Sequence, residues 1–324
     1  MNKRENLKRI FRKQGYDFIP AQFRLCETLT EKYKQIENTD MPFEEYFDFP
    51  WKNLPGIKPV NDEQINHIKY IPGALAEADS FEQILAFPLP EYDINEYSVI
   101  KEAAEQISRS DRAPVGNMQC TIWETAWSLR GMENIMMDMI SGDPLTELLF
   151  DRITDAAVKR AAIYAKAGAD YLFIGDDIGM QHSAMMSLDM YRLWLKPRLK
   201  RVIQSAKSVN PDIIIIYHSC GYIEPFIPDL IEAGIEVLNP VQPECMSFEK
   251  IYSEYAGALS FHGTVGTQTV MPFGTPGEIA ATVKRNLAIA GPKGGLLPAP
   301  THILEPDVPW ENVKAYIKAC QQYK

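Results

Sequence analysis

His218 and Cys220 flank Ser219 immediately after an apolar run at 213–217 and immediately before Gly221. In an irregular turn, side chains two apart can bend toward one point, so an imidazole and a thiolate here could share a metal ion. Zinc accepts that pairing, at about 2.0–2.1 Å to nitrogen and about 2.3 Å to sulfur. A catalytic zinc takes a third protein ligand and keeps a fourth position open. A thiolate or an ether oxygen bound there would meet a Lewis acid. His302 is the favoured third ligand, with Cys245, Glu244 and His262 as alternatives.

A second group is acidic. Asp176 and Asp177 follow the apolar run at 171–174 and precede Gly179. Paired carboxylates can orient a substrate, shift each other's pKa or ligate a cation. Adjacent side chains point to different sides, so only one is expected to line a cavity, and Asp176 is the choice. Arg24 is placed to hold a substrate carboxylate, and Gln119, Gln242 and His262 complete the candidate substrate-binding set.

These residues share a position in the pattern of elements. Apolar runs at 17–26, 113–120, 171–174, 213–217, 235–238, 259–261 and 296–298 read as strands. Between most of them lie helical segments with recognisable starts and stops: Asp143-Pro144 to Gly168, Ser187 onward with Pro197 as an internal kink, Thr275-Pro276 to Gly291, and 307–320. Alternating strands and helices mean a parallel sheet with helices outside. Just past the strand ends stand Arg24, Cys26, Gln119, Cys120, Asp176, Asp177, His218, Cys220, Gln242, Glu244, Cys245, His262, Thr264 and His302. In a (β/α)8 barrel those positions converge on one face, where the active site lies. The expected fold is therefore a single (β/α)8 TIM barrel over 1–324. An open doubly wound sheet is the rival, but no GxGxxG or Walker A motif follows any strand. The Pro- and aromatic-rich stretch at 41–59 reads as an excursion that covers one mouth of the barrel.

Composition narrows the partners. The 324 residues carry a net charge of −10, which argues against nucleic acid or an anionic membrane as the main partner. No apolar run approaches the ~18 residues that span a bilayer. The basic N-terminal stretch has helical apolar spacing at Leu7, Ile10 and Phe11 and no signal-peptide core. Five scattered cysteines fit free thiols in a reducing cytoplasm better than a disulfide framework.

At these residues the chain resembles the uroporphyrinogen decarboxylase superfamily, which includes porphyrinogen decarboxylases and corrinoid-linked methyltransferases. The resemblance is carried by Gly168-Ala169-Asp170 through Asp176-Asp177, by Tyr217-His218-Ser219-Cys220-Gly221, by Asn239-Pro240-Val241-Gln242-Pro243, and by His302 with Pro306-Asp307-Val308-Pro309-Trp310-Glu311-Asn312-Val313. It implies a (β/α)8 barrel. The decarboxylase branch has an arginine-rich motif after its first strand, where this chain reads Ala21-Gln22-Phe23-Arg24-Leu25-Cys26 and keeps only Arg24. The methyltransferase branch has HxC after the fifth strand and a late cysteine, all binding zinc. His218 and Cys220 match, while the late position reads Thr301-His302. The resemblance thus implies a zinc-dependent methyltransferase working with a corrinoid cofactor, such as methylcobalamin, or a corrinoid protein. The alternatives are a decarboxylase of a smaller carboxylate and a non-catalytic barrel that binds a corrinoid protein.

Overall fold

The computed structural model describes residues 2–65 and 72–322. Seven parallel strands form one sheet in sequential order: β1 (Trp51–Asn53), β2 (Ala113–Gln119), β3 (Tyr171–Gly175), β4 (Ile214–His218), β5 (Val237–Asn239), β6 (Ser260–His262) and β7 (Leu296–Leu297). Each parallel neighbour requires a crossover, and helices supply most of them, including Pro144–Lys166 before β3 and Lys196–Val209 before β4. β4 is buried on both faces, as its unbroken Ile214-Ile215-Ile216-Tyr217 run requires. The sheet curls on itself: Trp51 of β1 meets His262 of β6 edge to face, with ring centroids 5.0 Å apart. The result is a barrel-like α/β fold.

Two expectations about the strands change. The stretch 17–26 is extended but makes only one isolated bridge, Leu25 to Leu304. Pro20 has no N–H to give a ladder. The backbone of Gln22 is satisfied instead by the Tyr316 hydroxyl, 3.1 Å from its N–H and 3.0 Å from its carbonyl. The strand that pairs with β2 is β1, inside the expected excursion. Four residues between Pro50 and Pro55 are too few to show a period, yet Trp51, Lys52 and Asn53 register with Ala113, Pro114 and Val115. The aromatics around β1 pack as a cluster: Phe23 lies 4.9 Å from Phe49 and 5.5 Å from Phe47, and Tyr33 lies 5.8 Å from Trp310. Such pairs each add about 0.5–1.5 kcal/mol beyond their burial.

The N-terminal helix Lys3–Phe11 closes the end of the barrel where strands begin. Ser260 donates to the Phe11 carbonyl at 2.6 Å, the Gly295 N–H to Ile10 at 2.7 Å, and Arg4 to Asp170 at 2.8 Å. The helix thus covers the end where the strands begin, and His218 lies at the other, C-terminal end of its strand. The expected Pro197 kink takes a specific form. Leu188–Met190 passes through a π-helical turn, Tyr191–Leu195, before Lys196–Val209, and the widened turn absorbs the N–H that Pro197 lacks.

Candidate metal centre at the strand ends

His218 is the last residue of β4, and the chain leaves the sheet there in a turn that aims Cys220 back toward it. The Sγ of Cys220 lies 3.6 Å from Nε2 of His218. Asp177, two residues past β3, brings Oδ1 to 3.7 Å from the same nitrogen. The three ligand atoms all lie within 4.8 Å of one another. One imidazole nitrogen, one thiol sulfur and one carboxylate oxygen form a donor set that zinc accepts.

Close backbone contact holds the two loops together. A Cβ on Gly179 would meet the Cys220 carbonyl at 2.7 Å, and one on Gly221, at φ +84°, would meet the Gly179 carbonyl carbon at 2.7 Å. Only glycine permits that approach. Oδ1 of Asp177 accepts from the Cys220 N–H at 2.7 Å, and the buried Ser219 hydroxyl accepts from the Ile178 N–H at 3.0 Å. Gln242 accepts from the Gly221 N–H at 3.0 Å.

The acidic pair divides its roles in the opposite sense to that expected. Asp176 is 5% exposed and turned away from the mouth. Its carboxylate accepts from the Ile122 and Glu124 amides at 3.0 Å, at the start of the helix Trp123–Arg130. Burial pushes its carboxyl up to about 7 against the pull of these amides. Asp177 takes the cavity position, because the alternation of side chains continues past the last residue of β3 and sends the first acid into the helical layer. The third donor atom close to His218 and Cys220 is that of Asp177; His302 lies outside this three-atom cluster. His302 is exposed; burial above all lowers the pKa of His218, with His302 and Arg24 adding to it.

The remaining candidates separate into rim and floor. At the rim, Arg24 reaches Gln119 at 3.4 Å, and both stay accessible to a ligand. Cys245 lies outside the three-atom cluster; burial, then Asp177, raise the Cys220 thiol, and Cys245 adds to it. Glu244 accepts from the Gln268 N–H at 3.2 Å and the Thr269 hydroxyl at 2.8 Å, bracing the loop after β6. Gln242 and His262, expected to contact substrate, are 6% and 4% exposed and belong to the supporting structure.

Sequence reasoning missed three contributors. Asn239, the last residue of β5 and the register partner of His218, places Oδ1 2.6 Å from Nδ1 of that histidine. Its signal was available: ladder neighbours at strand ends touch. Gln22 accepts from the floor through His262 at 2.9 Å. Glu124 accepts from the Asp177 N–H at 3.3 Å, and burial followed by the charge of Asp177 raises its carboxyl. Burial also pushes the Cys220 thiol up to about 12, with Asp177 adding to it. A metal bound there would have to displace that proton, so its affinity would rise with pH.

His262 makes the site's floor acid-sensitive. Burial, then the charge of His218, lowers its pKa from 6.5 to about 3. Between those values the unfolded chain binds the extra proton, so stability falls as pH drops through that window. At pH 4.5 the loss amounts to about 2–3 kcal/mol. Urea midpoints at pH 7.5 and 4.5 will show a steeper decline in the unaltered chain than in His262→Gln; Asp176 titrates in both and cancels. Parallel declines would remove His262 as the source.

Among known proteins, the chain is 26% identical over 212 residues to the methylcobamide:CoM methyltransferase MtaA of Methanosarcina barkeri, covering 64% of this chain and 58% of that protein. It is 26% identical over 185 residues to the uroporphyrinogen decarboxylase of Thermus thermophilus, covering 57% and 50%. The chain thus spans little more than half the length of these curated relatives. A solved structure, a methyltransferase from Methanosarcina mazei, shares the fold with a TM-score of 0.70 over 99% of both chains, at 21% identity. Residues 69–323 match the family described as Uroporphyrinogen decarboxylase (URO-D). With the family model matching about four-fifths of its length, the chain belongs to the URO-D family.

Proposed function

We propose that this chain is a methyltransferase of the corrinoid-linked kind, built on one barrel domain, with a zinc ion held by His218, Cys220 and Asp177. The observation that carries the reading is the convergence of three unlike donor atoms within 4.8 Å at the C-terminal ends of the strands. Zinc held there would supply a Lewis acid that lowers the pKa of an acceptor thiol or polarises the heteroatom of a methyl donor. The chain's own residues prepare the place. Asn239 orients the His218 ring. The Asp177 carboxylate accepts from the Cys220 N–H and fixes the turn. Arg24 and Gln119 stand at the rim, where a guanidinium can hold a carboxylate or another anionic group of the substrate. A corrinoid cofactor, or the corrinoid of a partner protein, would approach from the same face. No helix among the described residues is long and apolar enough to cross a membrane, and all five cysteines are free thiols, which supports a reducing compartment such as the cytoplasm.

Metal analysis of the purified protein, followed by a spectral assay for demethylation of methylcobalamin with thiol acceptors, tests the reading. One zinc per chain and thiol-dependent loss of the methylcobalamin spectrum are expected. Carbon dioxide release from uroporphyrinogen is expected to be absent or slight, because one arginine cannot pair with many carboxylates. Efficient uroporphyrinogen turnover without metal would replace the proposal with a carboxy-lyase. Corrinoid-protein binding without turnover would replace it with a binding barrel.

The third ligand has its own test. Asp177→Ala should weaken zinc binding by roughly 10–100-fold, while His302→Ala leaves it unchanged. Asp176→Asn should keep the metal, since Asp176 lies outside the three-atom cluster and the amide oxygen can still accept a backbone N–H. Equal losses in Asp177→Ala and His302→Ala would put His302 into the coordination set.

A further inference from the structure

The side chain of Asn239 lies between two imidazoles. Its Oδ1 is 2.6 Å from Nδ1 of His218, and its Nδ2 is 2.8 Å from Nδ1 of His262 and 2.9 Å from the His262 carbonyl oxygen. A carbonyl oxygen only accepts, so the amide group facing it is the NH2, and the orientation of the amide follows. Its own Oδ1 then only accepts, so Nδ1 of His218 carries the proton. In a neutral imidazole that leaves the lone pair on Nε2, the nitrogen that faces Cys220 and Asp177. On the other side, Nδ2 donates to Nδ1 of His262. That nitrogen is therefore the acceptor, and Nε2 of His262 carries the proton and donates to Oε1 of Gln22 at 2.9 Å. Each link determines the next.

The far end is anchored. The Tyr316 hydroxyl accepts from the Gln22 N–H at 3.1 Å and shares its one proton between the carbonyls of Gln22, at 3.0 Å, and Pro298, at 2.8 Å, which ties the relay to the end of β7 and the last helix. Trp51 and Phe173 wall the relay, with ring centroids 5.0 Å from His262 and 6.1 Å from His218. His262 and Gln22 are buried, so water does not substitute for a missing partner.

We propose that Gln22, His262 and Asn239 are positioning residues that hold His218 in its Nδ1–H tautomer, so that Nε2 is offered to a metal cation before any cation binds. A free imidazole favours the other tautomer, with the proton on Nε2, and would have to switch or turn its ring before ligating. The relay removes that step from binding, as outer partners of metal-bound histidines do. The effect on metal rests on the reading of His218 as a ligand; the tautomer does not.

The test begins with metal-free protein carrying 15N-labelled histidine. Long-range proton–nitrogen correlation spectra at pH 7.5 distinguish protonated from bare ring nitrogens, with signals assigned through His218→Gln and His262→Gln. His218 should be protonated at Nδ1 and His262 at Nε2. Cobalt(II) affinity is then measured for three variants. Asn239→Leu should let His218 revert and bind cobalt about 10–100-fold more weakly. Asn239→Asp keeps an acceptor for His218 but loses the donor to His262, so it should retain cobalt affinity while melting lower than the unaltered chain. A merely structural role for Asn239 would make the Asp and Leu variants fail alike, and that result overturns the proposal. Gln22→Met touches neither ligand nor Asn239; it should mix the His262 tautomers and weaken cobalt binding by about 3–10-fold. If Asn239→Leu fails to fold, unchanged affinity in Gln22→Met overturns the relay. An Nε2–H tautomer at His218 in the unaltered chain overturns it directly. The expected tautomers without any cobalt binding would sink the metal reading and leave the relay standing.

Discussion

Cys220→Ala and His218→Ala should each bind zinc about a hundredfold or more weakly than the unaltered chain, and each should lose methyl-transfer activity in step with metal. The argument is one of ligand number. Three protein atoms share the cation, and removing one forfeits several kcal/mol of binding that water in its place does not restore. The two variants differ in their signatures. Cobalt(II) bound to the unaltered chain should show a sulfur-to-metal charge-transfer band, which Cys220→Ala lacks and His218→Ala retains in the residual complex. Cys245→Ala is the control. Its thiol adds to the shift of the Cys220 thiol yet lies outside the cluster, so both the band and the affinity should persist. A Cys220→Ala chain with full zinc stoichiometry at limiting metal would exclude the site.

The largest effect on stability is expected at Gly175, the last residue of β3. Its φ is +148°, outside the regions that L side chains favour. A Cβ there would stand 2.1 Å from the His218 carbonyl oxygen and 2.6 Å from its nitrogen. Both are backbone atoms of the neighbouring strand, so no rotamer change relieves the clash. β3 and β4 would have to part at the level of the metal ligand. Strain and displaced packing together should cost about 3–5 kcal/mol, or roughly 5–10 °C in Tm for a chain of this size. Gly175→Ala should also lose cobalt affinity in whatever fraction remains folded, because His218 moves with β4. Gly257→Ala serves as the comparison: its Cβ meets nothing within 4 Å, so its Tm should stay near that of the unaltered chain. Equal melting of the two variants would show that β3 and β4 can separate without penalty, and the close approach would carry no weight.

The sequence by itself determined the parallel α/β character, most of the helix boundaries and the placing of His218 and Cys220 at a strand end. Those features are local. The apolar run of β4 has one reading once it is buried on both faces. Asp143 accepts from the Leu145 N–H at 2.8 Å, and Thr275 and Glu278 close a capping box, so the helix starts are written within four residues. His218 and Cys220 are two residues apart, so their nearness in sequence already makes them a candidate pair, although Asp177 and Gln242 brace the turn between them. What only the tertiary structure decided depends on contacts between segments far apart in the chain. β1 is three residues long and gains its identity from its register with β2. The 17–26 stretch fails to become a strand because Tyr316, nearly 300 positions away, takes the hydrogen bonds of Gln22. Asp177 rather than Asp176 joins the cluster with His218 and Cys220 because the amides of Ile122 and Glu124 claim the first acid and the Cys220 N–H claims the second. Asn239 and Gln22 enter the site through a ladder partner and a buried imidazole. Side-chain alternation says that two neighbours face opposite ways; only the packed barrel says which way is in.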